Sequence, residues 1–377
     1  QEQWNYVPSP MDDLHIQQIT QAPHDPNIIF AGTRPAEIFK SLDNGRTWQR
    51  CQLGSAKECW FINTPRVTSI HFDPLEKETV WVTIEIDGVF KTTDLGETWE
   101  KCNSGLVSDD THNLVFVDNG DGSRTIWCST EEGLHRSFDN GANWIPHKVP
   151  EAPWLYMRCI KKRADNSGVM FLSVGDKPSG ETGMLLRSRD FGESWEDAGL
   201  PGHVNSTIWW IGTNPADPDL IFCHTILGQI FRSTDGGETW GIVLPGGNPD
   251  LHVLCVQPNE PDVLYASTGY GRLDGVAEMV EGNAGVFRSE DGGATWRYAW
   301  GGITPRYSRP MCVDARAPYE LTVACAPNAF SSFKDEGGAG AMLLIMCVWR
   351  GEGEGCHFLN AKTQRQGSRI LKIHNFC

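Results

Sequence analysis

The sequence lacks several patterns that would assign it to a familiar class of protein. It has no run of about 18 apolar residues, the length that indicates a membrane-spanning helix, and its first residues do not show the basic-then-apolar pattern of a secretory signal. No CxxC or HExxH motif is present, which argues against a structural zinc site. Positive charge is scarce, because 32 Lys and Arg face 48 Asp and Glu and give a net charge of −16. We therefore expect neither nucleic acid nor an anionic membrane as a partner.

The 12 cysteines do not form the pattern of a disulfide framework. They recur at equivalent places in similar apolar segments: Cys128, Cys223 and Cys325 in one type of segment, and Cys159, Cys255 and Cys312 in another. Equivalent positions of successive repeats lie on neighbouring units, too far apart for the Cα separation of about 7 Å that a disulfide allows. We expect buried free thiols and a reducing, intracellular compartment. A secreted form is the alternative.

What the sequence does contain is a repeat. Glycine and tryptophan are abundant, with 40 and 15 residues, and much of both lies in one recurring octapeptide. Its six copies are SLDNGRTW (41–48), TTDLGETW (92–99), SFDNGANW (137–144), SRDFGESW (188–195), STDGGETW (233–240) and SEDGGATW (289–296). A spacing of roughly 45 to 56 residues is typical of a propeller or a solenoid. The apolar segments around each copy predict four strands per unit, as in a propeller blade.

The octapeptide resembles the Asp-box (BNR) repeat, S-x-D-x-G-x-T/S-W, of a β-propeller superfamily that includes sialidases, xyloglucan-cleaving glycoside hydrolases, sortilin-like receptors and photosystem assembly factors. The resemblance implies that the boxes are structural and lie away from any catalytic face. We expect each box to be the hairpin between the third and fourth strands. Its Asp would accept hydrogen bonds from backbone N–H groups, its Gly would supply a positive φ, and its Trp would pack between blades.

The six boxes account for six blades, and RPMCVDARAPYELTVACAP (309–327) repeats the first two strands of a unit without a box to follow. We therefore predict an all-β fold: a seven-bladed β-propeller of four-stranded antiparallel blades with Asp-box hairpins. The N-terminal segment, 3–10, is predicted to close the ring as the outer strand of the last blade. The propeller would span 1–344, and 345–377, which has no repeat character, would be an atypical tail.

The predicted site lies at the end of the central channel, where loops meet the first strand of each blade. We assign catalytic roles to five residues there: His112, Arg158, His252, Arg66 and Arg309. Substrate-binding roles are assigned to His15, Trp154, Tyr156, Trp209, Glu85, Asp87, His224 and Tyr270. If His15, His112 and His252 converge, they would suit a divalent metal, although the predicted chemistry requires no cofactor. The alternative is that these side chains fill a solvated tunnel and pair with one another.

Three functions fit this arrangement. The favoured one is an enzyme that acts on a small organic molecule in the channel, as a non-hydrolytic isomerase or cyclase, for example in a Diels–Alder-type ring-forming step of natural-product biosynthesis. Shape, aromatic packing and Arg or His hydrogen bonds would suffice for such a step. The first alternative is a glycoside hydrolase of the sialidase or xyloglucanase type, and the second is a non-catalytic binding or assembly propeller. We expect a monomer or a weak oligomer.

Overall fold

The computed structural model describes residues 3–56, 64–178, 180–245, 250–269, 271–273, 276–278, 284–299, 307–314, 316, 319–326 and 342–347. The regular secondary structure of these ranges consists of β-strands, which are numbered below in chain order. Across these ranges we find no helix of the length and apolarity needed to cross a membrane.

Six segments of the chain each fold into a four-stranded antiparallel sheet that carries an Asp box between its third and fourth strands. "Blade" is used below for a sheet of this kind. Blade 1 contains β2 (His15–Gln21), β3 (Ile29–Arg34), β4 (Ile38–Ser41) and β5 (Gln49–Cys51). Blade 2 contains β6 (Val67–Phe72), β7 (Val80–Ile84), β8 (Gly88–Thr92) and β9 (Glu100–Lys101). Blade 3 contains β10 (Thr111–Asp118), β11 (Arg124–Thr130), β12 (Gly133–Ser137) and β13 (Ile145–His147).

The next three blades follow the same order. Blade 4 contains β14 (Tyr156–Lys162), β15 (Met170–Gly175), β16 (Gly183–Ser188) and β17 (Glu196–Asp197). Blade 5 contains β18 (Ile208–Asn214), β19 (Asp217–Thr225), β20 (Gln229–Ser233) and β21 (Gly241–Pro245). Blade 6 contains β22 (Leu251–Gln257), β23 (Glu260–Thr268), β26 (Gly285–Ser289) and β27 (Arg297–Tyr298), with the separate hairpin of β24 (Gly271–Leu273) and β25 (Val276–Glu278) inserted before β26.

One further four-stranded sheet joins the two ends of the chain. It pairs β28 (Tyr307–Val313), β29 (Leu321–Ala326) and β30 (Met342–Cys347) with β1 (Gln3–Val7), and β1 is its outermost strand. This closing sheet packs against blade 6 and blade 1 through β28, so the sheets surround a common axis.

The prediction of a seven-bladed propeller is wrong: the described residues form six blades. The closing sheet is composite, because its strands come from two distant segments and none of the six octapeptides lies in it. The predicted boundary at 344 falls inside β30, and the proposed tail from 348 lies outside the described residues.

The burial of the strands follows from this packing. Every residue of β7 is buried, and both residues of β9, at the outer edge of the same blade, are exposed. The inner strands have a blade on each face, so a continuous apolar run such as VWVTI suits them better than alternation of apolar and polar residues. Eight cysteines in the described part of the chain are free thiols, most of them buried in these cores.

The Asp box is a closed hydrogen-bonded turn. In blade 4, Asp190 Oδ1 accepts from the Ser194 backbone N–H at 2.9 Å, and Oδ2 accepts from Ser194 Oγ. Ser188 Oγ accepts from the Gly192 backbone N–H at 2.8 Å and donates to Asp190. The same bonds recur in all six boxes. The prediction that the six aspartates are structural is confirmed.

In blades 2 to 5 the box glycine also packs closely against the previous blade. Gly237 has a φ of +89°, and a Cβ there would lie 2.3 Å from Phe171 of blade 4. In the same way, a Cβ at Gly141 would lie 2.6 Å from Trp81 of blade 2. Glycine is therefore required at these two positions for two reasons. It adopts the positive φ, and it leaves room for an aromatic ring of the neighbouring blade.

Candidate functional site

Each sheet has a β-bulge near the start of its innermost strand. We call the end of the ring where these innermost strands begin the axial end. The bulged residues are Gln17, Thr68, His112, Arg158, Trp209 and His252 in blades 1 to 6, and 309–310 in the closing sheet. A bulge leaves one residue outside the regular pairing and turns its side chain away from the sheet. Bulged residues of neighbouring strands then contact each other, as Arg158 does with Trp209, whose ring centroid lies 4.2 Å from the guanidinium carbon.

Blades 3 and 4 together form a polar group that we call quartet A: Asp110, His112, Tyr156 and Arg158. His112 Nδ1 lies 2.7 Å from the backbone oxygen of Met157, so Nδ1 must donate, because a carbonyl oxygen only accepts. The other ring nitrogen lies 3.4 Å from Asp110 Oδ1. The Tyr156 ring packs on the His112 ring with a centroid distance of 4.9 Å.

Blade 6 and the closing sheet repeat this arrangement as quartet B: Asp250, His252, Tyr307 and Arg309. His252 Nδ1 lies 2.6 Å from the Ser308 backbone oxygen, and Nε2 lies 2.8 Å from Asp250 Oδ1. The ring distance between His252 and Tyr307 is 5.0 Å. Four of the five residues assigned catalytic roles therefore fall into two matching groups, each built by two adjacent sheets.

The fifth, Arg66, joins a set of charges beside quartet A. Arg66 Nη2 binds Glu85 Oε1 at 2.7 Å, with both side chains largely buried. Burial lowers the pKa of Arg34 to about 10, and the charge of Arg66 adds to the effect. Burial lowers the pKa of His15 well below its ordinary value. The nearby charges that lower it further are those of Arg309, His252, Arg34 and Arg66. The axial end thus brings several arginines close to one another.

Two carboxylates of blade 3 sit at this end with opposite tendencies. Burial raises the pKa of Asp110, but the neighbouring His112 and the charges of Arg158 and Arg66 outweigh it and hold that pKa below its usual range. Burial and the neighbouring Asp110 raise the pKa of Glu131. The two residues are tied together, because the Glu131 backbone N–H donates to the Asp110 backbone oxygen at 3.1 Å.

Ser108 completes this link. Its Oγ donates to Glu131 Oε1 at 3.2 Å and accepts from the Asp110 backbone N–H at 3.1 Å. The arrangement places an ionised carboxylate and a carboxyl group that holds its proton to higher pH within one short stretch of the axial end.

Some predicted site residues lie elsewhere. Asp87 binds Lys101 Nζ at 2.6 Å and the Ala56 backbone N–H at 2.7 Å, so its carboxylate holds loops together. Trp154 packs on the apolar core of blades 3 and 4. His224 is fully buried in β19, and burial lowers its pKa to about 4. Tyr270 lies outside the described residues.

The three histidines proposed as metal ligands do not form a metal centre. Among the described side chains, no group of three or more His, Cys, Asp or Glu could hold a metal ion. Two of the three, His112 and His252, each direct Nδ1 to a backbone oxygen of the next sheet. These bonds fix the rings in the walls between sheets.

No site role was assigned from the sequence to Asp110, Asp250, Tyr307 or Glu131. A signal for the first three was present. Asp-x-His occurs at 110–112 and at 250–252, and Tyr-x-Arg occurs one repeat later in each case, at 156–158 and 307–309. Comparing the repeats position by position would have shown that the two pairs are equivalent.

Comparison with known proteins places the chain among Asp-box propellers. No family model matches. The chain is 22% identical over 377 aligned residues to the xyloglucanase Xgh74A of Acetivibrio thermocellus, covering 83% of this chain and 43% of that protein. It is 24% identical over 307 residues to the photosystem II stability/assembly factor HCF136 of Arabidopsis thaliana, covering 78% of this chain and 70% of that protein. The chain therefore spans less than half of the xyloglucanase.

The fold is likewise similar to that of YCF48 from Cyanidioschyzon merolae, with a TM-score of 0.61 and 15% identity over 91% of this chain and 98% of that one. The homologues are thus xyloglucanase, sialidase and assembly-factor propellers, and the predicted resemblance to the Asp-box superfamily is confirmed. The isomerase or cyclase favoured from the sequence receives no support from these homologues.

Proposed function

We propose that this chain acts as a glycoside hydrolase on a carbohydrate bound over the axial end, with Asp110 and Glu131 as the two reacting carboxylates. The observation that carries the proposal is this pair, because the residues are linked through Ser108 and their surroundings shift the two pKa values in opposite directions. Two carboxyl groups whose pKa values are separated are what glycoside hydrolysis requires. The xyloglucanase and sialidase homologues support the choice.

The roles follow from the two environments. Glu131, with its raised pKa, would donate a proton to the glycosidic oxygen as the bond from that oxygen to the anomeric carbon breaks. Asp110, kept ionised beside Arg66 and Arg158, would act at the anomeric carbon, directly or through a water molecule. The aromatic rings of Tyr156 and Trp209 would flank the sugar.

The test compares Asp110→Asn, Glu131→Gln and the control Glu132→Gln on xyloglucan oligosaccharides, fluorogenic glucosides and fluorogenic sialosides. Glu132 is the exposed neighbour of Glu131. We expect hydrolysis of at least one substrate by the unaltered protein, a fall in kcat of roughly 10²-fold or more for the first two variants, and little change for the control. Full activity in both Asp110→Asn and Glu131→Gln would refute the assignment, and so would an absence of hydrolysis of every substrate.

A binding or assembly propeller is a second candidate, because the assembly factor HCF136 is matched over 70% of its own length and the xyloglucanase over only 43%. In that case the axial end would be a binding surface without turnover. Affinity capture with the unaltered protein and with Glu131→Gln separates the two candidates. A partner retained equally by both forms, with no hydrolysis by either, favours this second candidate.

A further inference from the structure

Quartets A and B match except in what their arginines contact. In quartet B, Arg309 donates through Nη1 to Gln17 Oε1 of blade 1, and its Nε lies 3.3 Å from the Tyr307 hydroxyl. Gln17 is the bulged residue of the next innermost strand around the ring. The bulged arginine of quartet B thus receives an oxygen acceptor from the neighbouring blade.

In quartet A the neighbouring blade supplies no such oxygen. The equivalent bulged residue is Trp209, which offers Arg158 the face of an indole ring. Arg158 is only 7% exposed, and its Nη1 has no hydrogen-bond partner within the described part of the chain. Burial lowers the pKa of this guanidinium. Quartet A therefore contains a buried cation whose counterpart in quartet B is hydrogen-bonded.

A buried charge without a hydrogen-bonded partner is costly in folding, and removing the whole charge would avoid that cost. The contact with Trp209 offsets part of it, since a desolvated cation is attracted to the face of an indole ring. It leaves the in-plane N–H groups of Arg158 without an acceptor. Those groups form a planar fork that matches the oxygens of a carboxylate, a sulfate or a phosphate.

We propose that Arg158, backed by Trp209, is a subsite for an oxyanion on the ligand, and that a ligand oxygen takes the place that Gln17 Oε1 takes in quartet B. This inference rests on the proposed function and narrows its substrate class to an acidic saccharide, one that bears a carboxylate or an ester of sulfate or phosphate. Asp110 and Glu85 lie near the arginines and limit the positive charge, so the site selects one anionic group over a polyanion.

The experiment measures binding by calorimetry, with glucuronate, glucose 6-sulfate, glucose 6-phosphate and uncharged glucose as probes. The proteins are the unaltered chain, Arg158→Met, Trp209→Gln and the control Arg136→Met. Trp209→Gln places in blade 5 the side chain that blade 1 has at Gln17, so it supplies Arg158 with an internal oxygen. Arg136 packs over Trp127 and pairs with Glu193 at the outer part of blade 3, away from the axis.

We expect at least one charged probe to bind tenfold more tightly than glucose, with Arg158→Met and Trp209→Gln each losing that preference and Arg136→Met retaining it. The order among the three charged probes identifies the oxyanion. Equal affinity for glucose and for all charged probes would overturn the proposal, and so would a preference that persists in Arg158→Met. Thermal unfolding of each variant shows whether it is folded. Because Arg158→Met and Trp209→Gln are separate variants, the proposal can still be tested with one of them if the other does not fold.

The same titration with Asp110→Asn separates this inference from the proposed function. Oxyanion binding that survives in Asp110→Asn, in a protein that hydrolyses nothing, supports the subsite and refutes the hydrolase. Hydrolysis of neutral glycosides without any preference for charged probes refutes the subsite and leaves the hydrolase standing.

Discussion

The outer Asp boxes and the axial quartets are both repeated polar clusters, and they differ in how completely their hydrogen bonds are made. In the boxes, each aspartate accepts from two groups four residues ahead, and in blades 3 to 5 the glycine fits against an aromatic ring of the previous blade. At the axis, Arg158 has a buried N–H group without an acceptor in the described residues. The boxes, which satisfy their own hydrogen bonds, are scaffold, and we propose that the quartet left incomplete at Arg158 is the place for a ligand.

The largest effect that we predict is a difference in the free energy of unfolding between variants of two buried arginines, Arg66 and Arg158. Arg66→Met leaves Glu85 buried without its cation, and we expect the free energy of unfolding to fall by about 3–5 kcal/mol. Arg158→Met removes a guanidinium whose Nη1 makes no hydrogen bond in the described residues, and we expect a smaller loss of stability than for Arg66→Met. Urea denaturation of both variants measures the difference. Equal destabilisation would mean that Arg158 is internally satisfied.

The next effect concerns the outer part of the molecule. Gly237→Ala places a Cβ 2.3 Å from Phe171 at a φ of +89°, and we expect unfolding to become easier by about 2–4 kcal/mol through strain and overpacking. Gly122→Ala is the matched control, because its φ is +86° and nothing lies within 4 Å of the added atom. Similar losses in the two variants would show that backbone strain alone matters and that the contact between blades does not.

The third effect is a difference between the two regions in how their stability depends on pH. The pKa of His224 is about 4 when folded, below its unfolded value, so the unfolded chain binds the extra proton and stability falls as pH drops from about 6.5 to 4. The slope is about 1.4 kcal/mol per pH unit for this histidine. The pKa values of Asp94 and Asp235 are about 2, below their unfolded values, so their contribution is present above pH 4 and is lost between about pH 4 and 2.

Denaturation curves measured from pH 7 to 3 check this order. His224→Gln should flatten the change between pH 6.5 and 4, and the exposed His24→Gln should not. An unchanged slope in His224→Gln would show that this imidazole does not resist protonation in the folded chain.

Much of the fold could be predicted from the sequence, because the residues that form the turn of each box are present in its octapeptide. In blade 4 they are Ser188, Asp190 and Gly192. The number of blades was overestimated because 309–327 resembles the first two strands of a unit and was counted as a seventh blade. Only the pairing of β1 with β30 shows that this segment belongs to a composite sheet. At the axis, Arg158 and His252 were found, but their grouping into two quartets depends on bulges that no local pattern encodes. The small-molecule partner and the intracellular location stay predictions.

The closing sheet has a consequence for how the chain is made. Gln3 pairs with Cys347, so β1 cannot meet its neighbour β30 until the six blades between them have been synthesised. The blades can form in order as they emerge, but the ring closes only once β30 is made, through contacts that are far apart in the sequence. Until then both rims of the incomplete ring are unpaired strand edges, which are the surfaces most prone to association with another chain.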